Sequence, residues 1–538
     1  HDYFVLLGDD VVFDDSEWFQ RVRDRFTEYH ACYPDTGYGF GVVAVWDGTS
    51  PGFPTFPVVH RKHGDIFGPR FCPDVFVNQD ADPWVWEVYR PFGVASFVRP
   101  GLSNKIGGTA EGPRYQLVRT PQWRDAPVEE GRAHVTRVLG ATRTRTLIDV
   151  VVPCYRVNVE IINAIVGMRV PDNVSTLIII VVDDPTSPNI PRVKDLERTT
   201  QPPGRVRVRV QETNSGASAA RNRGIEESAA DWILFLDDDV VPDEDTIEKY
   251  AQAIERVGDK AAGFVGVTKF PSPINLRTLA FVLSGVGYFW DLAAKKCEGD
   301  PMPWGVTANL VLRRKKGVRF RLDFPRTGGG EDIAMCLDTI ATTGLELVAA
   351  PGVSVEHPWW DKGLFSSWRF FAWTQGDGLL PEMYPAHAYR NIPNAVETLF
   401  LTVPIILLVS GIVAAMQLVV AILVADIAFD LKDVFLESTL MSRYMCSAAP
   451  PGSTSCGRWL RFLGACVLAT GFKNHVELGH LWIWLKRGRL LNICLRFDWH
   501  RDTLPTAIHQ ERRRAFERFI IFFVLGFWHA RRAGLFEF

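Results

Sequence analysis

The amino-acid sequence predicts a doubly wound α/β fold with a mostly parallel sheet between Arg143 and Glu356. Short β-rich runs alternate with helical patterns, which is the order that βαβ units produce. One run, Trp232–Leu236, ends at once in three carboxylates, and open α/β sheets bind ligands at the carboxyl ends of their strands. The predicted strands are Leu147–Val152, Leu177–Val182, Val206–Val210 and Trp232–Leu236, and the predicted helices are Ser218–Ser228 and Asp245–Val257.

Length and composition limit the possible classes of protein. The chain has 538 residues, enough for two or three domains, and its net charge of −3 gives no sign of a nucleic-acid partner. Its nine cysteines occur singly, without a C-x-x-C pair, which argues against a zinc site and a disulfide framework. We predict an α/β unit at 1–120, a linker at 121–144, a second α/β domain at 145–385 and a helical region at 386–538.

The three carboxylates after Leu236 are Asp237, Asp238 and Asp239. Adjacent carboxylates repel one another and are costly to bury unless a cation lies among them. Oxygen ligands at the end of a buried strand suit Mg²⁺ or Mn²⁺ bridging a diphosphate. The alternative is a solvated acidic turn between a strand and a helix.

Three further stretches support a ligand crevice at this edge. The first strand ends in Pro153-Cys-Tyr155, and the second ends in Asp183-Asp184. The segment Asn214–Gly224 then opens a helix with small residues, which let an anionic ligand approach the helix start. Within this segment, Arg221 can add a bidentate phosphate contact.

In this order the motifs P-x-Y, D-D, A-R-N-x-G and L-D-D-D resemble family 2 glycosyltransferases of the GT-A fold, over about Val150–Leu380. The resemblance implies inverting transfer of a sugar from a nucleotide-diphosphate donor, most commonly a UDP-sugar, with Mg²⁺ or Mn²⁺ as cofactor. The implied donor-binding residues are Pro153, Tyr155, Asp183, Asp184, Gly216, Arg221, Asn222, Asp237, Asp238 and Asp239. The implied metal ligands are Asp237, Asp239 and His357.

The resemblance also implies catalytic and acceptor residues. Asp332 corresponds to the general base and Glu331 is its neighbour, although acidic residues also favour the first turn of any helix. The implied acceptor-side residues are Trp304, Gly305, Asn309, Trp359 and Arg369. Trp304 can stack on an acceptor sugar or lie in the core, and His357 can be a ligand or an ordinary buried histidine.

One departure from the family concerns polymer synthesis. Membrane-embedded polymer synthases of this family carry Q-x-x-R-W, whereas here Arg369 lies in S-S-W-R-F without Gln and Trp in register. We therefore expect addition of single sugars or short chains to a lipid-linked or glycan hydroxyl. A processive polysaccharide synthase and a non-catalytic membrane scaffold of decayed domains are the alternatives.

The segment Leu399–Ala425 contains no charged residue and predicts a membrane-spanning helix, with the catalytic domain on the cytoplasmic side. A buried core helix and a tight re-entrant pair are the alternatives. The shorter apolar runs Leu460–Phe472, His480–Leu485 and Phe519–Trp528, flanked by Arg and Trp, suggest helices in the membrane interface. A small soluble helical subdomain would also produce them.

The N-terminal segment repeats the aspartate motif. Tyr3–Asp15 aligns with Trp232–Glu244 without a gap, so that Gly8, Asp9 and Asp10 correspond to the aspartate triplet. Asp82 follows where the second copy has its Glu-Asp pair. We expect the distal half of a second GT-A-like domain, active or degenerate, whose upstream strands precede His1. The intervening His60–His63 can contact phosphate or form a solvated turn.

Overall fold

The computed structural model describes residues 2–7, 11–77, 79–104, 118–436, 455–499 and 507–532. Gly8, Asp9, Asp10 and Asn78, which belong to the predicted N-terminal repeat, lie outside these residues. The chain divides into two compact units. The first comprises His1–Phe264 and Ala308–Arg319, and the second comprises Val265–Thr307 and Phe320–Phe538.

The first unit begins with a five-stranded sheet in the order β1-β4-β3-β5-β2. Its strands are β1 (Tyr3–Val5), β2 (Val11–Phe13), β3 (Val42–Asp47), β4 (Pro57–His60) and β5 (Ala95–Asn104), and its helices are α1 (Trp18–Cys32), α2 (Lys62–Phe67) and α3 (Ala81–Tyr89). Val22, Phe26 and Tyr29 of α1 are buried at helical spacing, so one face of this helix covers the sheet.

The predicted linker at 121–144 contains the helix α4 (Ala126–Leu139). Its Arg132 is fully buried and donates to the backbone carbonyl of Glu87 at 3.0 Å. The Gly, Pro and Thr around this segment suggested a linker, but the buried residues Val128, Arg132 and Val135 form a packed helical face.

A second sheet in the first unit carries the parallel strands, and five of its strands lie in the order β14-β10-β6-β8-β9. The strands in this part of the chain are β6 (Thr146–Cys154), β7 (Val174–Ser175), β8 (Ile178–Val182), β9 (Val206–Val210), β10 (Trp232–Phe235), β11 (Val241–Pro242), β12 (Ala261–Lys269), β13 (Pro301–Met302, in the second unit) and β14 (Leu310–Arg313). The helices are α5 (Val159–Val166), α6 (Ile190–Thr199), α7 (Ala217–Glu227) and α8 (Thr246–Val257). β14 is antiparallel to β10, so the sheet is mixed.

The central strands β6 and β8 are mostly apolar runs, which explains why they lie in the interior of the sheet. Every residue of β8 is buried, as is every residue of β6 after Thr146. Continuous apolar strands of this kind are covered by helices on both faces of a parallel sheet. Because β10, β6 and β8 run parallel, Asp237, Tyr155 and Asp183 follow their strands at one edge of the sheet.

The second unit combines strand pairs with long helices. Its elements are α9 (Leu276–Ser284), α10 (Glu331–Thr343), β15 (Glu346–Glu356), α11 (Trp368–Asp377), α12 (Leu380–Met383), β16 (Ala388–Arg390), α13 (Ala395–Leu436), α14 (Ser455–Lys486), β17 (Leu495–Phe497) and α15 (Ala507–Arg532). β13 pairs with β15, and β16 pairs with β17, in both cases antiparallel.

The C-terminal helices differ in length from the sequence expectation. Leu460–Phe472 and His480–Leu485 are parts of the single helix α14, and Phe519–Trp528 lies within α15. Polar residues between the apolar runs interrupted the sequence pattern without interrupting the helix. By length and composition, one helix among the described residues, Ala395–Phe435, could cross a membrane.

Candidate active site

The aspartate triplet after β10 alternates between buried and open side chains. Asp238 is buried, whereas the side chains of Asp237 and Asp239 are 29% and 28% exposed. The chain turns at Asp238 and Asp239, where the backbone N–H of Val240 donates to the carbonyl of Asp237 at 3.4 Å. The outer two carboxylates face outward, and the middle one faces the protein interior.

Asp238 holds the loop that follows β6. Its Oδ2 accepts the backbone N–H groups of Tyr155, Arg156 and Val157 at 3.1, 3.2 and 3.2 Å. Val157 has a left-handed φ of 52°, which helps to turn consecutive N–H groups toward one acceptor. Burial, followed by the charges of Asp239 and Asp237, raises the pKa of Asp238 to about 7. This aspartate is therefore a structural anchor of the loop.

Two arginines neutralise the outward-facing carboxylates. Arg221, buried in the second turn of α7, donates to Asp237 at 2.9 Å. Arg156, exposed on the loop after β6, donates to Asp239 at 3.1 Å. The pairs place guanidinium groups next to carboxylates, and guanidinium groups are suited to bidentate phosphate contacts.

The oxygen donors of Asp237 and Asp239 fit a hard divalent cation in chemical type. Both are partly open, and both have oxygen atoms at the same strand end. Across the described parts of the chain, no group of three or more His, Cys, Asp or Glu is arranged to hold a metal ion by itself. A cation there would require further ligands, such as the oxygens of a bound diphosphate or water.

Asp183 and Asp184 have different local roles. Asp183 is buried and accepts the backbone N–H groups of Ser215 and Gly216 at 2.9 and 2.8 Å, which fixes the loop before α7. Asp184 accepts the backbone N–H and the hydroxyl of Thr186 in a local turn. Gly216 has a φ of 91° and caps α7, a conformation that glycine adopts without strain.

A cleft of about 460 Å³ opens beside the triplet in the first unit. Its lining includes Asp239, Arg156, Arg192, Asn158 and Asn189. Sequence reasoning missed Arg192 and Asn189 because they belong to the α6 region, which carries no recognised motif. The lining combines carboxylate, guanidinium and amide groups, which is suited to a ligand with phosphates and polar ring substituents.

The first unit also contains the predicted donor-side residues Pro153, Tyr155 and Asn222 and the predicted acceptor-side residue Asn309. Pro153 is the penultimate residue of β6, and Tyr155 follows this strand with its side chain 58% exposed. Asn222 lies partly buried on α7, next to Arg221. Asn309 is buried, and its Oδ1 accepts the hydroxyl of Tyr250 at 2.7 Å, so this side chain is held in the core of the first unit.

In the second unit, Glu331 and Asp332 begin α10. Glu331 is buried and its Oε2 accepts the backbone N–H of Gly329 at 2.6 Å, so Glu331 braces the loop in front of the helix. Asp332 is only partly buried, at the second position of the helix. Of the two carboxylates, Asp332 is therefore the more accessible to a substrate.

The loop before α10 requires glycine. Gly328, Gly329 and Gly330 all have left-handed φ values, of 86°, 111° and 79°. A Cβ on Gly329 would overlap the carbonyl of Trp373, and one on Gly376 would overlap the carbonyl of Gly329. The loop that carries the acidic pair therefore touches the backbone of α11 directly.

Asp377, at the end of α11, was missed by sequence reasoning because it belongs to no family motif. Its carboxyl group is close enough to the carboxylates of Asp332 and Glu331 for their negative charges to act on it. Burial, together with the charges of Asp332 and Glu331, raises the pKa of Asp377 well above its usual range. The only available sequence signal was the pair of glycines, Gly376 and Gly378, on either side of it.

The acceptor-side tryptophan Trp304 is an interior residue. It is 1% exposed, and its Nε1 donates to the backbone carbonyl of Trp499 at 3.2 Å. Gly305, which follows it, contacts Cys336 of α10, one turn after Asp332. Of the two interpretations of Trp304, the structure supports packing in the core of the second unit.

His357, Trp359 and Arg369 belong to an aromatic cluster in the second unit. His357 is buried, stacks on Phe270 at 4.9 Å and shares a hydrogen bond with the carbonyl of Pro358 at 2.7 Å. Trp359 is buried beside Phe270. Arg369 lies 4.2 Å from the ring centre of Trp360, a cation–π contact. The imidazole of His357 is thus packed among rings, and the predicted metal role gains no support within this unit.

Comparison with known proteins finds similarity over the middle of the chain. The sequence profile of Glycosyl transferase family 2 matches residues 149–314. An uncharacterized glycosyltransferase of Haemophilus influenzae is 33% identical over 110 residues, which cover 20% of this chain and 35% of the relative. The chain therefore spans about a third of this curated relative. Residues 149–314 are therefore similar to a family 2 glycosyl transferase domain, and this region has an α/β fold with a mixed sheet, as the sequence predicts.

Solved structures with a similar fold are distant in sequence. S. aureus TarS in complex with UDP-GlcNAc is 14% identical, with a TM-score of 0.31, and the match covers 43% of this chain and 65% of that one. A mannosyltransferase from Pyrobaculum calidifontis in complex with GDP-Man and Mn²⁺ is 14% identical, with a TM-score of 0.35, and the match covers 61% and 87%. Likenesses of this size assign no ligand to this chain.

The triplet geometry predicts different effects for its members. Asp238→Ala removes the acceptor of three backbone N–H groups, and we expect the free energy of unfolding to fall by about 3 kcal/mol. Asp239→Ala removes a partly exposed ion pair with Arg156, and we expect a change below about 1 kcal/mol. Chemical denaturation of both variants measures the difference. Equal losses for the two variants would contradict the anchor role of Asp238.

Asp377 predicts a pH dependence of stability. Because its pKa is raised in the folded protein, it contributes stability that is present below about pH 4 and is lost as pH rises toward the raised value. Asp377→Asn mimics the protonated acid and removes this loss. Thermal unfolding between pH 4 and pH 8 should therefore decline less steeply in the variant than in the unmodified protein. Parallel curves would show that Asp377 is not perturbed.

Proposed function

We propose that the chain is a membrane-associated, metal-dependent, inverting glycosyltransferase that moves a sugar from a nucleotide-diphosphate donor to a lipid-linked or glycan hydroxyl. The observation that carries this proposal is the alternation of the aspartate triplet, with Asp238 anchored inside and Asp237 and Asp239 turned outward between two arginines. A plain acidic turn has no reason to bury its middle carboxylate on three backbone donors.

The donor is bound by residues of the first unit. Asp237 and Asp239 hold Mg²⁺ or Mn²⁺, which would neutralise negative charge on the leaving diphosphate. Arg156 and Arg221 are placed to exchange their carboxylate partners for diphosphate oxygens. Asp183 fixes the loop at Gly216, so that the start of α7 is available to the phosphates. A UDP-sugar is the donor that we infer first.

The base is Asp332. An inverting transfer needs a carboxylate that removes the proton of the acceptor hydroxyl as the sugar leaves the diphosphate. Asp332 is the partly open member of the acidic pair, whereas Glu331 is committed to the backbone of Gly329. Glu331 and the backbone of α11 hold this carboxylate in place.

Membrane association follows from the C-terminal helices. The α13 residues Leu408, Ile412 and Val413 are 87%, 65% and 66% exposed, which is unusual for contiguous large apolar side chains in water. α15 exposes Phe523 and Val524 in the same way. These surfaces suit lipid, and a membrane location would bring the domain close to a lipid-linked acceptor.

The N-terminal segment is proposed to repeat the distal half of the transferase domain. β1 is antiparallel to β4, as β10 is to β14. α3 begins after Asp80 in a left-handed conformation (φ 70°), and α10 begins after Gly330 in the same conformation (φ 79°). Asp82 is the second residue of its helix, as Asp332 is of α10, and burial raises the pKa of Asp82 to about 7.

Two variants test the proposed function. Asp332→Asn keeps the shape of the residue but removes the base, so transfer should fall at least about 100-fold while donor binding stays unchanged. Asp239→Ala should abolish the metal-dependent part of UDP binding. Calorimetric titration of UDP with and without Mn²⁺, and transfer of radiolabelled sugar, measure these effects. Full transfer by Asp332→Asn, or unchanged metal-dependent binding by Asp239→Ala, would overturn the assignment.

The proposed repeat predicts a separate role for its acidic residue. Asp82→Asn should change the transfer rate of the protein by less than about twofold, because the proposed base is Asp332 and not the N-terminal carboxylate. The matched variant is Asp332→Asn, measured in the same radiolabelled transfer assay. A loss in Asp82→Asn as large as in Asp332→Asn would mean that the N-terminal segment takes part in the same reaction.

A further inference from the structure

The apolar helix α13 contains a break at Gly411. Gly411 has φ 81° and ψ 178°, a conformation outside the helical region and accessible chiefly to glycine. The break divides α13 into a first arm, 395–410, and a second arm, 412–436. A 42-residue helix without such a break would be about 63 Å long.

Contacts at the two ends of α13 require the arms to fold back on each other. Arg518 of α15 pairs with Asp426 at 3.4 Å, near the end of the second arm. Arg512, six residues earlier on α15, donates to the carbonyl of Arg390 at 3.5 Å, just before the first arm. Six helical residues span only about 9 Å. In a straight α13, the 31 residues from Ala395 to Asp426 would separate the two points by about 47 Å.

A second set of contacts gives the same result. Glu397, at the start of the first arm, pairs with Arg496 at 2.6 Å. Glu477 of α14 lies within electrostatic range of Glu397, Arg496 and Asp426. One side chain can approach both Glu397 and Asp426 only if the two arms run beside each other, because a straight helix would hold these residues about 44 Å apart.

The two arms also share an apolar core. Ile406 of the first arm and Ala415, Leu418 and Ile422 of the second arm form one buried cluster with Phe522 of α15. α15 thus packs beside the folded pair. The side chains around the break remain open, and the four most exposed apolar residues of α13 lie there: Leu408, Ile412, Val413 and Met416. Val420 and Val424, farther along the second arm, are exposed as well.

We propose that α13 is a re-entrant hairpin whose apolar tip around Gly411 enters one leaflet of a lipid bilayer and leaves both ends of the helix on the same side. The inference rests on the membrane association in the proposed function and specifies its geometry. The uncharged arms, 399–410 and 412–425, are about 18 and 21 Å long, whereas the hydrocarbon core is about 30 Å thick. Each arm is therefore long enough to enter one leaflet but too short to cross the whole hydrocarbon core.

Lipid is the occupant that the charge pattern favours. The apolar part of α15, Phe519–Trp528, lies between Arg512–Arg514 and Arg531–Arg532. Arginine beside an apolar helix contacts lipid phosphates at the membrane surface. The ion pairs of Asp426 and Asp430 with Arg518 lie where the uncharged part of the second arm ends, which places the charged residues at the base of the hairpin.

Two native cysteines on either side of the hairpin provide a direct test. Cys297 precedes α13, Cys456 follows it, and both are exposed. Full-length protein in sealed membrane vesicles of one orientation is treated with a membrane-impermeant maleimide, and both peptides are quantified by mass spectrometry. A re-entrant hairpin gives equal modification of the two cysteines. Modification of one cysteine, with protection of the other until detergent is added, would overturn the proposal and support a spanning helix.

A charge at the tip tests insertion itself. Leu408→Asp should lower flotation with phosphatidylcholine–phosphatidylglycerol vesicles at least about tenfold, because a carboxylate is costly in hydrocarbon. The control is Leu322→Asp, at a leucine that is 68% exposed outside the helix, and it should leave flotation unchanged. Equal flotation of Leu408→Asp and the unmodified protein would overturn tip insertion.

The same assays separate this inference from the proposed function. UDP binding in Mn²⁺ is measured on Leu408→Asp in detergent, where it should match the unmodified protein. If UDP binding is retained and flotation is lost, the hairpin is supported. If the unmodified protein fails to float at all, the hairpin and the membrane association are both wrong, while the donor-binding part of the proposed function stands on its own measurement.

Discussion

The candidate site of the first unit depends on one buried carboxylate. Asp238 lies three residues after the end of β10 and accepts three consecutive backbone N–H groups from the loop after β6. This contact joins the ends of two neighbouring parallel strands and fixes the side to which each aspartate of the triplet turns. Because the middle carboxylate is committed to the backbone, Asp237 and Asp239 are left outward with their arginines.

The same division of roles recurs in the second unit. Glu331 is buried and braces its loop through Gly329, while Asp332 beside it stays partly open. In both places one acidic residue stabilises the backbone and its neighbour remains available for chemistry. Burial, reinforced by the charges of neighbouring carboxylates, raises the pKa values of Asp238 and Asp377.

The helix α11 connects the acidic loop with the C-terminal helices of the second unit. On one side Gly376 touches Gly329, and on the other side Trp484 of α14 donates to the carbonyl of Gly378 at 3.0 Å. Gly479 of α14 leaves room for Thr374 of α11. α11 is therefore held between the loop before α10 and the helix α14.

Much of the first unit could be predicted from the sequence, because its strands are continuous apolar runs that end in acidic motifs. β6, β8, β9 and β10 lie within two or three residues of their predicted limits. The inward turn of Asp238 could not be predicted, since three identical side chains give no sign of which one the backbone will bind. The role of Asp377 and the fold-back at Gly411 depend on contacts between residues far apart in sequence, and periodicity does not record such contacts.

The most direct test of the account is a screen of radiolabelled nucleotide sugars with purified membranes that contain the full chain. The account predicts that one UDP-sugar is consumed in the presence of Mn²⁺, that chelation stops the reaction, and that the label moves to a lipid or glycan product with inverted anomeric configuration. Consumption without a divalent cation, or a product that retains the donor configuration, would contradict it.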